Sequence, residues 1–223
     1  MKRLGLLVPS SNTAMEVDFY RHLPPNVTLH TARMRLEETT VEGEEAMLDE
    51  HFPRALRDIA TARPDVVVFG CTSAGALRGR DYDSSICTRI SREAKASPVS
   101  VIASASRALA ELNAKRVAVI TPYIDDLNRR VKASLEHDGS EVIGIWGMGI
   151  DDNFQIAQVQ PDEIVEFSIS RISAKSADCV FISCTNLRAM EARAELQRKL
   201  GIPVLTSNQV AFNAAMDTLL HEA

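Results

Sequence analysis

The chain has 223 residues, 45% of them hydrophobic and 25% charged, with a formal net charge of −5 and a pI near 5.6. That length admits one domain or two half-size lobes, and the acidic balance argues against nucleic acid or an anionic membrane as partner. No apolar run approaches the roughly 18 residues a membrane span needs, and four cysteines without CxxC or paired-histidine spacing form neither a disulfide framework nor a zinc site.

The segment Met1–Pro9 resembles a signal peptide only superficially. Its apolar run is short, Pro9 breaks it, and no small-residue cleavage site follows. It is expected to be the first buried strand, Leu4–Val8, of a cytoplasmic protein. A second strand is predicted over Val27–Ala32. Glu42–Thr61 then reads as a helix, with Ala46, Met47, Phe52, Leu56 and Ile59 at helical spacing. Strand Val66–Phe69, helix Ser84–Lys95, strand Val99–Ile102 and helix Ser104–Leu112 complete the first half. The second half reads as strand Val117–Ile120, helix Asp125–Glu136, strand Glu141–Ile145, helix Pro161–Ser173, strand Val180–Ile182 and helix Arg188–Leu200. Gly201-Ile202-Pro203 closes that helix, and strand Val204–Leu205 and helix Gln209–Leu220 follow. Short, continuous, β-branched runs alternating with helices predict an α/β fold with parallel sheets buried on both faces.

The two halves repeat. Pro9 and Pro122, Asp65 and Asp178, Cys71 and Cys184, and Thr72 and Thr185 are all 113 positions apart. The repeat predicts two pseudo-symmetric lobes divided near residues 105–115. If the last helix crosses over, residues 1–105 plus 209–223 form the N-terminal lobe and 106–208 the C-terminal lobe.

Ligands of open α/β sheets bind beyond the carboxyl ends of the strands. Four such ends are polar here: Val8-Pro9-Ser10-Ser11-Asn12-Thr13, Gly70-Cys71-Thr72-Ser73-Ala74-Gly75, Ile120-Thr121-Pro122-Tyr123 and Ser183-Cys184-Thr185-Asn186. Each precedes a helix-compatible segment. Free N–H groups there are expected to favour a carboxylate and to lower the cysteine pKa values. Cys71 and Cys184 are therefore the catalytic candidates. Ser10, Asn12, Thr72, Ser73, Tyr123, Asn153, Thr185 and Asn186 are the substrate-binding candidates. Ser10, Ser11 and Thr13 also suit helix caps. Tyr123 is expected at the mouth of the second lobe, and the glycines of Gly144–Gly149 suggest a loop that closes over substrate. Cys87, inside a helix, and Cys179, at a strand start, are expected to be structural. Arg33, Arg35 and Arg188 suit a second carboxylate or a surface charge equally. No GxGxxG or Walker A loop and no Schiff-base lysine context is present, so no cofactor is expected.

At these residues the sequence resembles the aspartate/glutamate racemase superfamily, with the closer match in its maleate cis–trans isomerase and arylmalonate decarboxylase branch. The resemblance is carried by Pro9-Ser10-Ser11-Asn12-Thr13, the two Cys-Thr strand ends and Thr121-Pro122-Tyr123-Ile124-Asp125-Asp126-Leu127-Asn128, and it extends along essentially the whole chain. It implies two α/β lobes with the active site between them and no cofactor. Cys71 and Cys184 match the two catalytic cysteines. Asn12, Tyr123 and Asn153 match residues that hold substrate carboxylates in maleate isomerases, and Thr72, Ser73 and Tyr123 match the decarboxylase carboxylate pocket. The decarboxylases have glycine at the first cysteine position, so Cys71 argues against that activity. The chain departs from the isomerases at Thr72-Ser73-Ala74-Gly75, where they carry an apolar run, and at Thr185-Asn186-Leu187-Arg188.

The leading expectation is a cofactor-independent isomerase acting on a small carboxylate. The Cys71 thiolate adds to a cis-diacid and Cys184 handles the proton. A two-base amino-acid or hydantoin racemase is the alternative, and a small-acid binding module is a third reading. A disulfide-forming pair is disfavoured because the thiols belong to separate lobes. Homo-oligomer assembly is left open.

Overall fold

The computed structural model describes residues 1–173 and 176–221. Residues 174–175, within the segment 106–208, and residues 222–223, at the end of the segment 209–223, lie outside that range. The first half runs β1 (Lys2–Pro9), α1 (Met15–His22), β2 (Val27–Met34), α2 (Val41–Ala46), a π-helical turn (Met47–His51), α3 (Phe52–Ala60), β3 (Val66–Phe69), α4 (Thr72–Leu77), α5 (Arg80–Ala94), β4 (Ser97–Ser100) and α6 (Val101–Glu111). The second half runs β5 (Arg116–Thr121), α7 (Asp125–His137), β6 (Glu141–Gly147), α8 (Asn153–Ile156), α9 (Pro161–Arg171), β7 (Cys179–Ile182), α10 (Ala189–Leu200), β8 (Val204–Thr206) and α11 (Ser207–His221). The strands form two four-stranded sheets, ordered β2-β1-β3-β4 and β6-β5-β7-β8, with every pairing parallel. This is the two-lobed α/β architecture expected from the alternating pattern.

The repeat extends to register. Leu4 faces Val66 across β1 and β3, and Val117 faces Cys179 across β5 and β7. Both positions advance by the same 113 residues. Arg3 faces Thr28, and Arg116 faces Glu141. The polar residues at the strand starts repeat as well. The Arg3 N–H donates to Asp65 Oδ2 at 2.7 Å, and the Arg116 N–H donates to Asp178 Oδ2 at 2.8 Å. The matched aspartates thus lock the entry of each central strand pair, and the matched cysteines lie at the other end.

Period-two alternation sends the side chains of β1 to opposite faces. Leu4, Leu6 and Val8 join Met15 and Phe19 of α1 and Ala211, Ala214, Ala215 and Leu219 of α11 in one buried cluster. Leu7 joins Val67, Phe69 and the apolar stripe of α3 in a second cluster, which continues through the C-terminal lobe. Burying each such leucine contributes roughly 1.5–3 kcal/mol. The chain's last helix therefore covers a face of the first sheet. α6 is shared: Val101 packs in the first cluster, and Ile102, Ala105 and Leu109 pack in the second.

Three expectations about elements are corrected. The fourth strand is Ser97–Ser100 rather than Val99–Ile102, because the Ser100 hydroxyl accepts the Ala103 N–H and starts α6 there. The helix predicted over Glu42–Thr61 contains the π turn. Pro53 has no N–H for the carbonyl of Asp49, and the backbone widens where that bond is missing. Within that segment Ala46 is exposed and Glu44 is fully buried, so the stripe begins one turn earlier, on a carboxylic acid. Finally, the glycine-rich stretch is not a free loop. β6 continues to Gly147, and the N–H groups of Met148, Gly149 and Ile150 bond the carbonyls of Thr121, Tyr123 and Pro122.

Candidate active site

β3 and β7 deliver the two cysteines in the same way. The Gly70 N–H bonds the Leu7 carbonyl at 2.7 Å, and the Ser183 N–H bonds the Ile120 carbonyl at 2.8 Å. One residue later each chain turns off its sheet and places a thiol between the lobes. Gly70 is required for this approach, since an added Cβ would stand 2.8 Å from Met15 Sδ and 2.9 Å from the Leu7 carbonyl oxygen. Cys71 precedes α4 and is 5% exposed, and Cys184 is 4% exposed. Both are free thiols.

Cys184 Sγ accepts hydrogen bonds from the Tyr123 hydroxyl and from the backbone N–H groups of Asn186, at 3.3 Å, and Leu187. Tyr123 is held from behind: its N–H bonds Thr121 Oγ1 at 3.1 Å, and its carbonyl accepts from Asn128 Nδ2 at 3.3 Å. Gly147 lies against that carbonyl so closely that an added Cβ would overlap it. Tyr123 is therefore at the centre of the cluster, 2% exposed, and not at the mouth of a lobe.

The expected lowering of the cysteine pKa values is overturned. Burial pushes the Cys184 thiol up to about 11, although Tyr123 and two N–H groups pull the other way. Burial also pushes the Cys71 thiol well above its ordinary range, and the Glu44 carboxyl beside it adds to the rise. A helix N-terminus helps little here. α4 has only six residues, and Cys184 is separated from α10 by a turn over residues 185–188. Desolvation outweighs two or three aligned N–H groups. The resting site thus holds two neutral thiols.

Most of the other candidates converge on the seam between the lobes, where they bond one another. Asn12 Nδ2 donates to Thr185 Oγ1 at 3.1 Å, while Asn12 Oδ1 caps α1 through the N–H groups of Ala14 and Met15. Thr185 Oγ1 donates to the Gly70 carbonyl at 3.0 Å. Asn186 Oδ1 accepts the Thr13 N–H at 2.8 Å, and its amide donates to the Asn153 carbonyl. Asn153 accepts from Thr39 and donates to Ser11. Thr72 Oγ1 donates to Ser207 Oγ at 2.9 Å. Thr185 and Asn186 are therefore interlobe ties. Asn12 Nδ2 keeps one amide proton beyond its bond to Thr185. Ser10 is outside the cluster: it is exposed, and its hydroxyl bonds Leu36. Arg33 pairs with Glu16, Arg35 with Glu37 and Arg188 with Glu191. Cys87 lies in α5 and Cys179 begins β7, both away from the pair.

The sequence reading missed Glu44. Its Oε1 accepts the Ser73 hydroxyl, its Oε2 has no hydrogen-bond partner, and the side chain is 0% exposed. Burial raises its pKa from 4.5 to about 8. The segment before α2 puts it there. Glu38 bridges Asp152, the Thr39 N–H bonds the Asp151 carbonyl, and Thr40 Oγ1 caps the helix at Gly43. The signal was available: Glu44 stands three and four positions before Met47 and Leu48, in phase with the buried stripe. Asn208 was also missed. Its amide joins Asp18 Oδ2 at 2.7 Å to the Thr185 carbonyl at 3.0 Å.

A hollow of about 960 Å³ lined by Lys2, Arg3, Arg63, Asp65 and Lys95 opens at the opposite ends of the first sheet's strands, where neither cysteine of the pair reaches. The cysteine cluster is enclosed and sits at the carboxyl ends, where this class of sheet binds ligands. Among the described residues, no group of three His, Cys, Asp or Glu side chains is placed to hold a metal ion, and no helix is long and apolar enough to cross a membrane.

Known proteins resemble this chain over nearly its whole length. The sequence profile of the arylmalonate decarboxylase family matches residues 4–223. The maleate isomerase of Geobacillus stearothermophilus is 30% identical over 219 residues, covering 92% of this chain and 86% of that protein. The arylmalonate decarboxylase of Bordetella bronchiseptica is 28% identical over 211 residues, covering 94% and 87%. Among solved structures, a Pseudomonas putida maleate isomerase superposes with a TM-score of 0.91 at 25% identity, covering 98% of this chain and 92% of that one. The chain belongs to the arylmalonate decarboxylase family, in the branch that includes the maleate isomerases.

Proposed function

We propose that the protein is a cofactor-independent cis–trans isomerase of a small unsaturated diacid, with maleate as the first candidate. The observation that carries this is the meeting of Cys71 and Cys184, delivered by equivalent strand ends of two lobes, in one buried cluster with Tyr123. Cys71 attacks one alkene carbon. The C–S bond forms as the π bond breaks, and the electron pair moves toward the neighbouring carboxylate. Cys184, held as a thiol by burial, delivers its proton to the second carbon. The former double bond, now single, rotates, and the reverse steps release the trans-diacid. Splitting one prohibitive rotation into addition and elimination is the gain from covalent catalysis.

Tyr123 and the second amide proton of Asn12 face the substrate carboxylates. Asn153, Thr72, Thr185 and Asn186 hold those groups in place, and Ser10 fixes the turn at Leu36. The relatives named maleate isomerase support the substrate class. A thiol at position 71, where the decarboxylases of the resembled branch have glycine, speaks against decarboxylation. Packing of α11 on the first sheet supports assigning residues 1–105 plus 209–223 to one lobe and 106–208 to the other. Four unpaired cysteines suit a reducing, cytoplasmic setting. The test is prolonged incubation of the Cys184→Ser protein with maleate, followed by intact-mass analysis. In that variant solvent replaces Cys184 as a slow source of the second carbon's proton, and elimination is blocked for want of its base. An added mass equal to maleic acid, located on Cys71, supports the assignment, and an unmodified Cys71 under conditions where the wild type turns over contradicts it.

A further inference from the structure

The addition step needs a thiolate at Cys71, yet the cluster supplies no cation to stabilise one. Burial and the Glu44 carboxyl beside it disfavour the ionised sulfur more strongly than the Ala74 N–H and the Ser73 hydroxyl favour it. A proton acceptor must therefore be within reach, and one is present. Ser73 Oγ lies 3.8 Å from Cys71 Sγ and is hydrogen-bonded to Glu44 Oε1. When Glu44 is ionised, the one hydroxyl proton of Ser73 is committed to the carboxylate. The weak bond between Cys71 and Ser73 then has the thiol as donor. The order Cys71 to Ser73 to Glu44 runs in one direction and ends on a carboxyl with a second oxygen, Oε2, that is buried and unpartnered.

We propose that Glu44 is the general base of the reaction, taking the Cys71 thiol proton through the Ser73 hydroxyl as the sulfur attacks. This deepens the isomerase assignment and rests on Cys71 being the attacking thiol. The step balances without a co-reactant. The S–H proton passes to Ser73 Oγ, the Ser73 proton passes to Glu44 Oε1, and the electron pair left on sulfur forms the C–S bond. Elimination reverses the transfer. The relay also removes an electrostatic conflict, because Glu44 becomes neutral at the moment sulfur develops charge. Glu44 touches neither sulfur nor substrate in this arrangement, so its role is exerted through Ser73.

The experiment is alkylation by iodoacetamide at pH 7.5, with each cysteine followed by peptide mass mapping in intact, folded protein. The ratio of Cys71 to Cys184 labelling cancels opening of the shared enclosure. The relay predicts that Glu44→Gln lowers this ratio at least tenfold, that Ser73→Ala lowers it equally, and that the double variant is no slower than either. Thermal melts confirm that the variants are folded, and Ser73→Ala supplies the test if Glu44→Gln does not fold. A ratio unchanged within twofold overturns the relay. So does a rise, which is what a carboxylate that merely repels the thiolate would produce. Because labelling needs no substrate, failure to turn over maleate combined with a Glu44-dependent ratio overturns the substrate assignment and leaves the relay standing.

Discussion

Glu44 has a cost that can be measured without any assay of catalysis. Its carboxyl titrates at an ordinary 4.5 in the unfolded chain and at about 8 in the folded protein, because burial opposes its charge. Each tenfold change in proton affinity corresponds to about 1.4 kcal/mol, so the full burden approaches ~5 kcal/mol. The sign follows from proton counting. Between these two values the folded state binds more protons than the unfolded state, so stability falls as pH rises. The burden is absent below the unfolded value, grows through the interval, and is constant above the folded value. Glu44→Gln keeps the volume and an acceptor for Ser73 but cannot ionise. Relative to wild type the variant should gain stability with pH, by ~2 kcal/mol between pH 6 and pH 8. Asp83, whose carboxyl burial raises to about 6, and Asp18 titrate in both proteins, so their contributions cancel in the difference. The assay is urea unfolding of both proteins at the two pH values. A difference that does not change with pH would refute the argument, since Glu44 would then be titrating as a solvated acid.

Four further outcomes follow from the same geometry. With Glu44 as base, log kcat/KM should climb with pH and level near 8, and Glu44→Gln should lower the plateau and remove that inflection in initial-rate profiles. Cys71→Ser and Cys184→Ser should each reduce kcat/KM by at least ~10³-fold in a fumarate-formation assay, because each thiol serves a different step. Asn186→Ala removes the partners of Thr13 and Asn153 at the seam, and chemical denaturation should show a loss of roughly 1–3 kcal/mol. Gly147→Ala drives a methyl group into the Tyr123 carbonyl and Asn128, costing about 1–3 kcal/mol in the melt and lowering kcat through displacement of Tyr123.

The fold was legible because its signals are local and repeated. Val66–Phe69 is apolar throughout because β3 is covered on both faces, and the offset of 113 residues carried β-sheet register as well as residue identity. Cys71, Cys184 and Tyr123 could be located from their strand ends for the same reason. Charge state could not be read that way. A strand end suggests an accessible thiolate, but whether water reaches it depends on α2 and the residue 37–40 segment, which are fixed by contacts with residues 151–153 that are more than a hundred positions away. Glu44 escapes a reading based on apolar periodicity because it is a carboxylic acid standing in an otherwise hydrophobic stripe. Thr185 and Asn186 each contact the opposite lobe, a pairing that only the packed structure reveals.

The central claim is that thiols from two lobes act in turn on one alkene. The most direct test is proton NMR of the wild-type protein with maleate in D2O, run beside the Cys71→Ser and Cys184→Ser variants. The account predicts conversion to fumarate by the wild type, none by either variant, and a sulfur adduct on Cys71 of the Cys184→Ser protein. Full activity in Cys71→Ser would contradict it, as would solvent deuterium entering a small amino acid while maleate stays unchanged.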